Sequence, residues 1–214
     1  MLKRTLFAFL LVASCITANA QGFRFGATAG LNVNVARGSD PCGATLGYVF
    51  GGNVLYDFTD GDDTWYLGSA LLLSQKGFKQ DNIFDGYEKP IDIRHDMTAL
   101  EMPFVVGKNF PIGNKGRFFV EAGPYISCSL WGTTKVKQDG KSDKHHDIFG
   151  KNKFNRLDCG LTLGVGADIS NRVRVKCSYE LGLPNMRNNS AKIDGVSTPT
   201  YRNGTIATTL TYLF

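Results

Sequence analysis

No stretch of this 214-residue chain holds about eighteen consecutive apolar residues, so no helix of it can span a bilayer on its own. Histidine is scarce, with only three, His95, His145 and His146, which leaves little material for a histidine-rich metal centre. Charge of one sign is not in large excess: 24 Lys and Arg against 19 Asp and Glu give a formal +5, too mild to point to nucleic acid. Five cysteines in a chain of this length do not make a disulfide scaffold. What the chain has instead is glycine, 25 residues of it, and aromatics at 12%.

The beginning reads as an export signal. Lys3 and Arg4 form a basic stretch, Thr5–Ala13 a short apolar core, and Ala18-Asn19-Ala20 a small-residue site that places cleavage after Ala20. Val12-Ala13-Ser14-Cys15 resembles a lipobox, the alternative in which Cys15 becomes a lipidated N-terminus. Residues 1–20 are thus a signal peptide and 21–214 one domain, whose formal charge falls from +5 to +3 when Lys3 and Arg4 leave.

The domain alternates. Phe23, Phe25, Ala27, Ala29, Leu31, Val33 and Val35 share one face, against Arg24, Gly26, Thr28, Gly30, Asn32 and Asn34 on the other. A period of two over thirteen residues is a strand signal, not a helical one. Further strands follow at about 46–58, 65–76, 98–108, 117–131, 156–169 and 172–182, and the last ends the chain as TIATTLTYLF, residues 205–214. The sixth is the cleanest, with Leu157, Cys159, Leu161, Leu163, Val165, Ala167 and Ile169 opposite Arg156, Asp158, Gly160, Thr162, Gly164, Gly166 and Asp168. Pro103 and Pro124 fall inside strands, where each removes a ladder donor, so a bulge or a local gap is expected at each.

Eight strands give connections of alternating length, at about 36–45, 59–64, 77–97, 109–116, 132–155, 170–171 and 183–201. Long and short connections sorted to opposite ends are the loop arrangement of a bacterial outer-membrane barrel with both termini in the periplasm. At the end carrying the termini, the apolar register holds Phe23, Phe25, Tyr56, Phe58, Trp65, Phe110, Phe118, Tyr212 and Phe214, an aromatic girdle at a membrane interface. The expected fold is all-β, an eight-stranded antiparallel up-and-down transmembrane β-barrel. Its partners would be outer-membrane lipid and, through the C-terminal strand, the barrel-insertion machinery, with no nucleic acid.

The opposite register carries Asp57, Glu101, Glu121, Asp158, Asp168 and Glu180 against Arg24, Lys76, Arg156, Arg174 and Lys176. An eight-stranded barrel is only just wide enough for its own side chains, so these charges must be paired or wet. They read as a salt-bridged polar plug. No catalytic residue, cofactor site or metal site is expected, and buried carboxylates in a filled lumen could not reach a substrate. Gly140-Lys141-Ser142 lacks the glycine that a phosphate loop needs five residues earlier, where Lys135 stands. His145-His146-Asp147, in a loop with Lys135, Lys137, Lys141, Lys144, Lys151 and Lys153, reads as solvated surface. Cys128, Cys159 and Cys177 read as small apolar lipid-facing residues, with a Cys128–Cys159 bridge as the alternative.

Several stretches together resemble the PorT-like outer-membrane β-barrel proteins of the Bacteroidetes. They are Leu72-Leu73-Ser74-Gln75-Lys76-Gly77, Leu100-Glu101-Met102-Pro103, Glu121-Ala122-Gly123-Pro124-Tyr125, Asp158-Cys159-Gly160-Leu161, Tyr179-Glu180-Leu181-Gly182-Leu183 and the terminal Phe214. Departures fall at Ala70, Leu73 and Pro184-Asn185. The resemblance implies an integral outer-membrane barrel. Its name-giving member is associated with a secretion and gliding machinery, an accessory role that no stretch of this sequence itself carries. The expected function is non-enzymatic, structural or surface recognition through long extracellular loops. The alternatives are a rim-type enzyme acting on outer-membrane lipid and a soluble lipocalin-like barrel, the latter needing its apolar face turned inward.

Overall fold

Alternation imposes a ring. The computed structural model describes residues 22–38, 42–59, 63–83, 91–112, 116–138, 141–146, 148–149, 154–186 and 201–214. Among the described residues nine strands run in chain order: β1 (Phe23–Gly38), β2 (Thr45–Asp57), β3 (Trp65–Ile83), β4 (Ile91–Ile112), β5 (Gly116–Gln138), β6 (Lys141–His145), β7 (Leu157–Ser170), β8 (Val173–Gly182) and β9 (Tyr201–Leu213). Eight of them pair antiparallel around a closed barrel. β1 meets β9 from Gly26↔Leu213 to Gly38↔Tyr201, and β4 meets β5 on the opposite wall. The signal-peptide reading, with its cleavage at Ala20 and Cys15, lies outside the described residues.

Along the apolar belt the eight barrel strands bury one parity and expose the other. On β7, Leu157, Leu161, Leu163, Val165 and Ile169 point outward while Thr162 and Asp168 are buried. On β9, Ile206, Leu210 and Tyr212 are exposed and Thr205, Thr209 and Thr211 are buried. The apolar face is therefore the outer one, the reverse of a lipocalin-type barrel. Inside, Asn34 Nδ2 donates to Asn32 Oδ1 (3.0 Å) and to the Gln75 carbonyl (3.1 Å), and Thr205 Oγ1 donates to Asn34 Oδ1 (2.9 Å).

The structure corrects the strand lengths. β3 continues to Ile83, β4 begins at Ile91 and β5 reaches Gln138, so much of the two connections expected at 77–97 and 132–155 is strand. A ninth strand, β6, folds back on the top of β5 from Thr134↔His145 to Gln138↔Lys141. Gly140 lies outside the described residues, while Lys141 and Ser142 open β6 rather than a loop. The reason is physical. Alternation marks a strand only where one side meets an apolar phase and the other a polar one. Above the apolar belt both sides are polar or packed under a cap, so the pattern fades while the ladder goes on. The expected contrast of long and short connections shrinks accordingly: 39–44 and 84–90 are no longer than 58–64.

The prolines interrupt pairing without shifting register. The β4–β5 ladder passes from Pro103↔Tyr125 to Val106↔Ala122 with two positions skipped, and β3–β4 passes from Ser69↔Phe104 to Leu72↔Glu101 in the same way. A separate bulge lies higher, where Thr98↔Trp131 is followed by Ala99↔Ser129. Leu130 is the extra residue, and both it and Trp131 face outward.

The lumen is layered. At the end carrying the termini, buried Leu55, Tyr66, Phe119 and Leu213 form an apolar floor. At the far end Ala36, Phe78, Met97, Ile148, Phe149 and Tyr201 form an apolar cap, with Phe154, Met186 and Cys42 packed on it. The Tyr66 ring occupies the space over Gly107, where a Cβ would overlap it. Gly107→Val is expected to cost about 1–3 kcal/mol by overpacking. A lowered urea unfolding midpoint in detergent checks this, and an unchanged one would mean that Tyr66 has another slot.

Candidate functional site

Three groups of charges lie between floor and cap. Nearest the floor, Arg24 holds Asp57 with two bonds, Nε to Oδ2 at 2.6 Å and Nη2 to Oδ1 at 3.0 Å. Asp168 stands beside it with three guanidinium groups around it: Arg174 at 2.6 Å, Arg117 at 3.2 Å and Arg24 at 3.5 Å. Arg174 also donates to Asn109 Oδ1 (3.3 Å), and its guanidinium lies 4.0 Å from the Phe119 ring centre and 4.9 Å from that of Tyr66. Tyr66 and Phe119 thus serve twice, as apolar floor and as faces on which the buried cation rests.

In the middle, Lys176 Nζ donates to Glu121 Oε1 at 2.8 Å, and Tyr66 Oη donates to Glu121 Oε2 at 2.7 Å. Toward the cap, Lys76 is buried between Glu101 and Glu180, donating to Glu180 Oε2 at 2.9 Å and lying 4.7 Å from the Tyr125 ring centre. Tyr125 Oη donates to Asp158 Oδ2 at 3.0 Å, and Asn203 Nδ2 reaches the same oxygen at 3.4 Å. The formal charges are uneven along the axis. Three arginines face two aspartates near the floor, whereas one lysine faces three carboxylates under the cap.

The structure brings together Arg24, Asp57, Lys76, Glu101, Glu121, Asp158, Asp168, Arg174, Lys176 and Glu180 inside the barrel. Arg156 lies elsewhere. Its side chain is exposed, and its Nη1 donates to the carbonyls of Ser129 (3.0 Å) and Leu130 (2.8 Å). Its backbone still follows the β5–β7 register, with the Ser129 N–H donating to the Arg156 carbonyl at 2.7 Å, but its side chain turns out to the β5 carbonyls instead of taking the inward parity of Asp158. Tyr66, Tyr125, Asn109 and Arg117 were missed as members. Parity would have found them, since each neighbours an outward residue, Trp65, Ile126, Phe110 and Phe118 respectively.

A cavity of about 50 Å³ lies in the lumen, lined by Glu101, Glu121, Arg174 and Lys176 together with apolar Leu72 and Val105 among others.

The aromatics at the end carrying the termini, Phe23, Phe25, Tyr56, Phe58, Trp65, Phe110, Phe118, Tyr212 and Phe214, are all exposed or half-exposed on the outer face. Several touch across strands: Phe23–Tyr56 at 4.7 Å, Phe110–Phe118 at 6.4 Å and, along β9, Tyr212–Phe214 at 6.0 Å between centres. His95 packs under the cap against Phe78 and Phe154, while His145 and His146 are exposed, and Asp147 lies outside the described residues. Cys128 faces Leu157 and Cys159 faces Ile126, so the two thiols sit diagonally and are unbridged, as are Cys42 and Cys177.

Comparison with known proteins adds three findings. No curated protein matches the sequence. Among solved structures, the attachment invasion locus protein Ail of Yersinia pestis aligns over 89% of this chain and 98% of its own, with 16% identity and a TM-score of 0.36. Neisserial surface protein A aligns over 89% and 97%, with 14% identity and a TM-score of 0.42. A family model described as the outer membrane protein beta-barrel domain matches residues 18–188, and the chain belongs to this family of outer-membrane β-barrel proteins.

Proposed function

We propose that this protein is a closed, non-enzymatic barrel of the outer membrane that works by surface recognition through its far end, with both termini in the periplasm. The filled lumen carries the reading. Apolar floor, ion-paired middle and apolar cap leave nothing to conduct, whereas β3, β4, β5 and β6 run on beyond the apolar belt. That projection exposes Asp92, Arg94, Lys137, Asp143, Lys144 and His145, a polar surface carrying both signs of charge. Support for this orientation comes from the short connections 113–115 and 171–172, which share an end with the termini.

A cysteine at exposed Ser142, in a Cys42→Ser background, tests the orientation. Labelling by a membrane-impermeant maleimide in intact cells is the expected result; labelling only after the envelope is opened would reverse the orientation. Heat-modifiable gel migration of the outer-membrane fraction tests the barrel itself, and release by salt washing would sink it.

The terminal strand supplies a second expectation. Phe214 is 81% exposed, yet its N–H donates to the Phe25 carbonyl at 2.9 Å, so the last residue is held in the ladder with its ring outward. As the mark read by the barrel-insertion machinery, it should be needed for assembly. Deleting Phe214 is expected to lower folded protein in the outer membrane several-fold on heat-modifiability gels, and unchanged levels would remove that role.

A further inference from the structure

The outer wall is not evenly filled. Between β4, β5 and β7 lies a groove of about 840 Å³, with Leu71, Leu100, Ile126 and Leu157 standing exposed around half-buried Met102 and Cys128. Glu101 and Asp158 border it through their strands, but their carboxylates turn inward onto Lys76 and Tyr125 Oη. At the groove's upper end stands Arg156. Its guanidinium is pinned by the Ser129 and Leu130 carbonyls and lies 4.5 Å from the Phe149 ring centre, and among the described residues it has no carboxylate partner.

Depth decides what such a site meets. Phe118 marks the girdle at the terminal end of β5, and Cys128 is ten residues further along the same strand. At about 3.3 Å per residue and a tilt near 40°, that is roughly 25 Å along the barrel axis, the height of the apolar band of such barrels. The apolar groove therefore lies just inside the far leaflet and Arg156 at the level of its headgroups. A guanidinium without a carboxylate partner among the described residues, fixed above an apolar trough, matches an acyl chain joined to a phosphate. Guanidinium is also the cation best shaped for bidentate phosphate contact.

We propose that this groove binds one anionic, phosphate-headed lipid of the far leaflet, its acyl chain between Leu100, Ile126 and Leu157 and its phosphate on Arg156. The site depends on the barrel spanning a membrane and holds whichever side the far end faces, so the orientation test can fail without it.

Native mass spectrometry of the full mature barrel, released from phosphatidylcholine nanodiscs doped with either phosphatidylglycerol or phosphorylated lipid A, tests the proposal. One dopant lipid should be retained per barrel, and the better-retained dopant identifies the lipid class. Arg156→Gln should reduce that retention about tenfold, as expected for loss of a charge-assisted contact. Cys128→Trp, which fills the floor, should abolish it while folded-band migration stays normal; Met102→Phe serves if that variant does not fold. Equal retention by Arg156→Gln, equal retention of phosphatidylcholine, or a dimer mass in place of bound lipid would each overturn the proposal.

Discussion

A Lys76→Met variant is expected to lose about 3–5 kcal/mol of folding stability, the cost of leaving a buried ionic partner uncompensated. Lys76 is buried, and the carboxylates nearest to it are Glu101, Glu180 and, through Tyr125, Asp158. Removing the ammonium leaves three acidic side chains under an apolar cap with no cation among them. Lys176 is already bonded to Glu121. Urea unfolding in lipid vesicles, read by tryptophan fluorescence, gives the number. A triple variant, Lys76→Met with Glu101→Gln and Glu180→Gln, should recover most of the loss, because replacing a whole buried ion group is often neutral. A single variant as stable as the parent would mean that the carboxylates are not in the lumen.

That contrast bears on what the plug does. Ion pairs in a low-dielectric interior return little net stability once desolvation is counted, so the layered charges are better understood as fixing the packing of the barrel than as strengthening it. Beside contacts between neighbouring strands, each group includes one between strands that are not adjacent in the ring: Arg24 of β1 to Asp168 of β7, Lys76 of β3 to Glu180 of β8, Tyr66 of β3 to Glu121 of β5. Neighbouring strands are already held by the ladder. The charges add struts across the lumen.

Most of the wall was legible in the sequence because the wall is where physics imposes a strict alternation. Strands such as β7 and β9 came within a residue or a few of their observed limits, since both faces of each meet contrasting phases along its length. The upper parts of β3, β4 and β5 were not legible for the same reason reversed: residues 77–83 and 132–138 carry no outward apolar series. The members of the charge layers could be chosen by parity, but their partners could not. Which residues meet across a lumen depends on tilt and stagger, and those come only from the closed ring. Arg156 shows the limit of parity: its backbone still bonds β5, yet its side chain turns outward onto the Ser129 and Leu130 carbonyls.

Leu163→Arg should cost about 2–4 kcal/mol, the penalty measured for a cation on the lipid face near a bilayer midplane. Leu163 is 60% exposed on the outer face of β7, opposite Ala122 of β5. Ala122 lies four residues along β5 from the girdle residue Phe118, roughly 10 Å up the axis and close to the middle of an apolar band about 25 Å tall. In a water-soluble barrel the same exchange would relieve an exposed leucine and cost nothing. The effect should shrink toward either interface, so Ile169→Arg, near the terminal end of β7, should cost less than half as much. Ser142→Arg, on exposed β6 beyond the belt, should be neutral. Unfolding free energies of the three variants in lipid vesicles give the profile. A flat profile would separate this outer surface from the membrane, whereas a maximum at Leu163 would locate the midplane and place Arg156 at the far interface by the same scale.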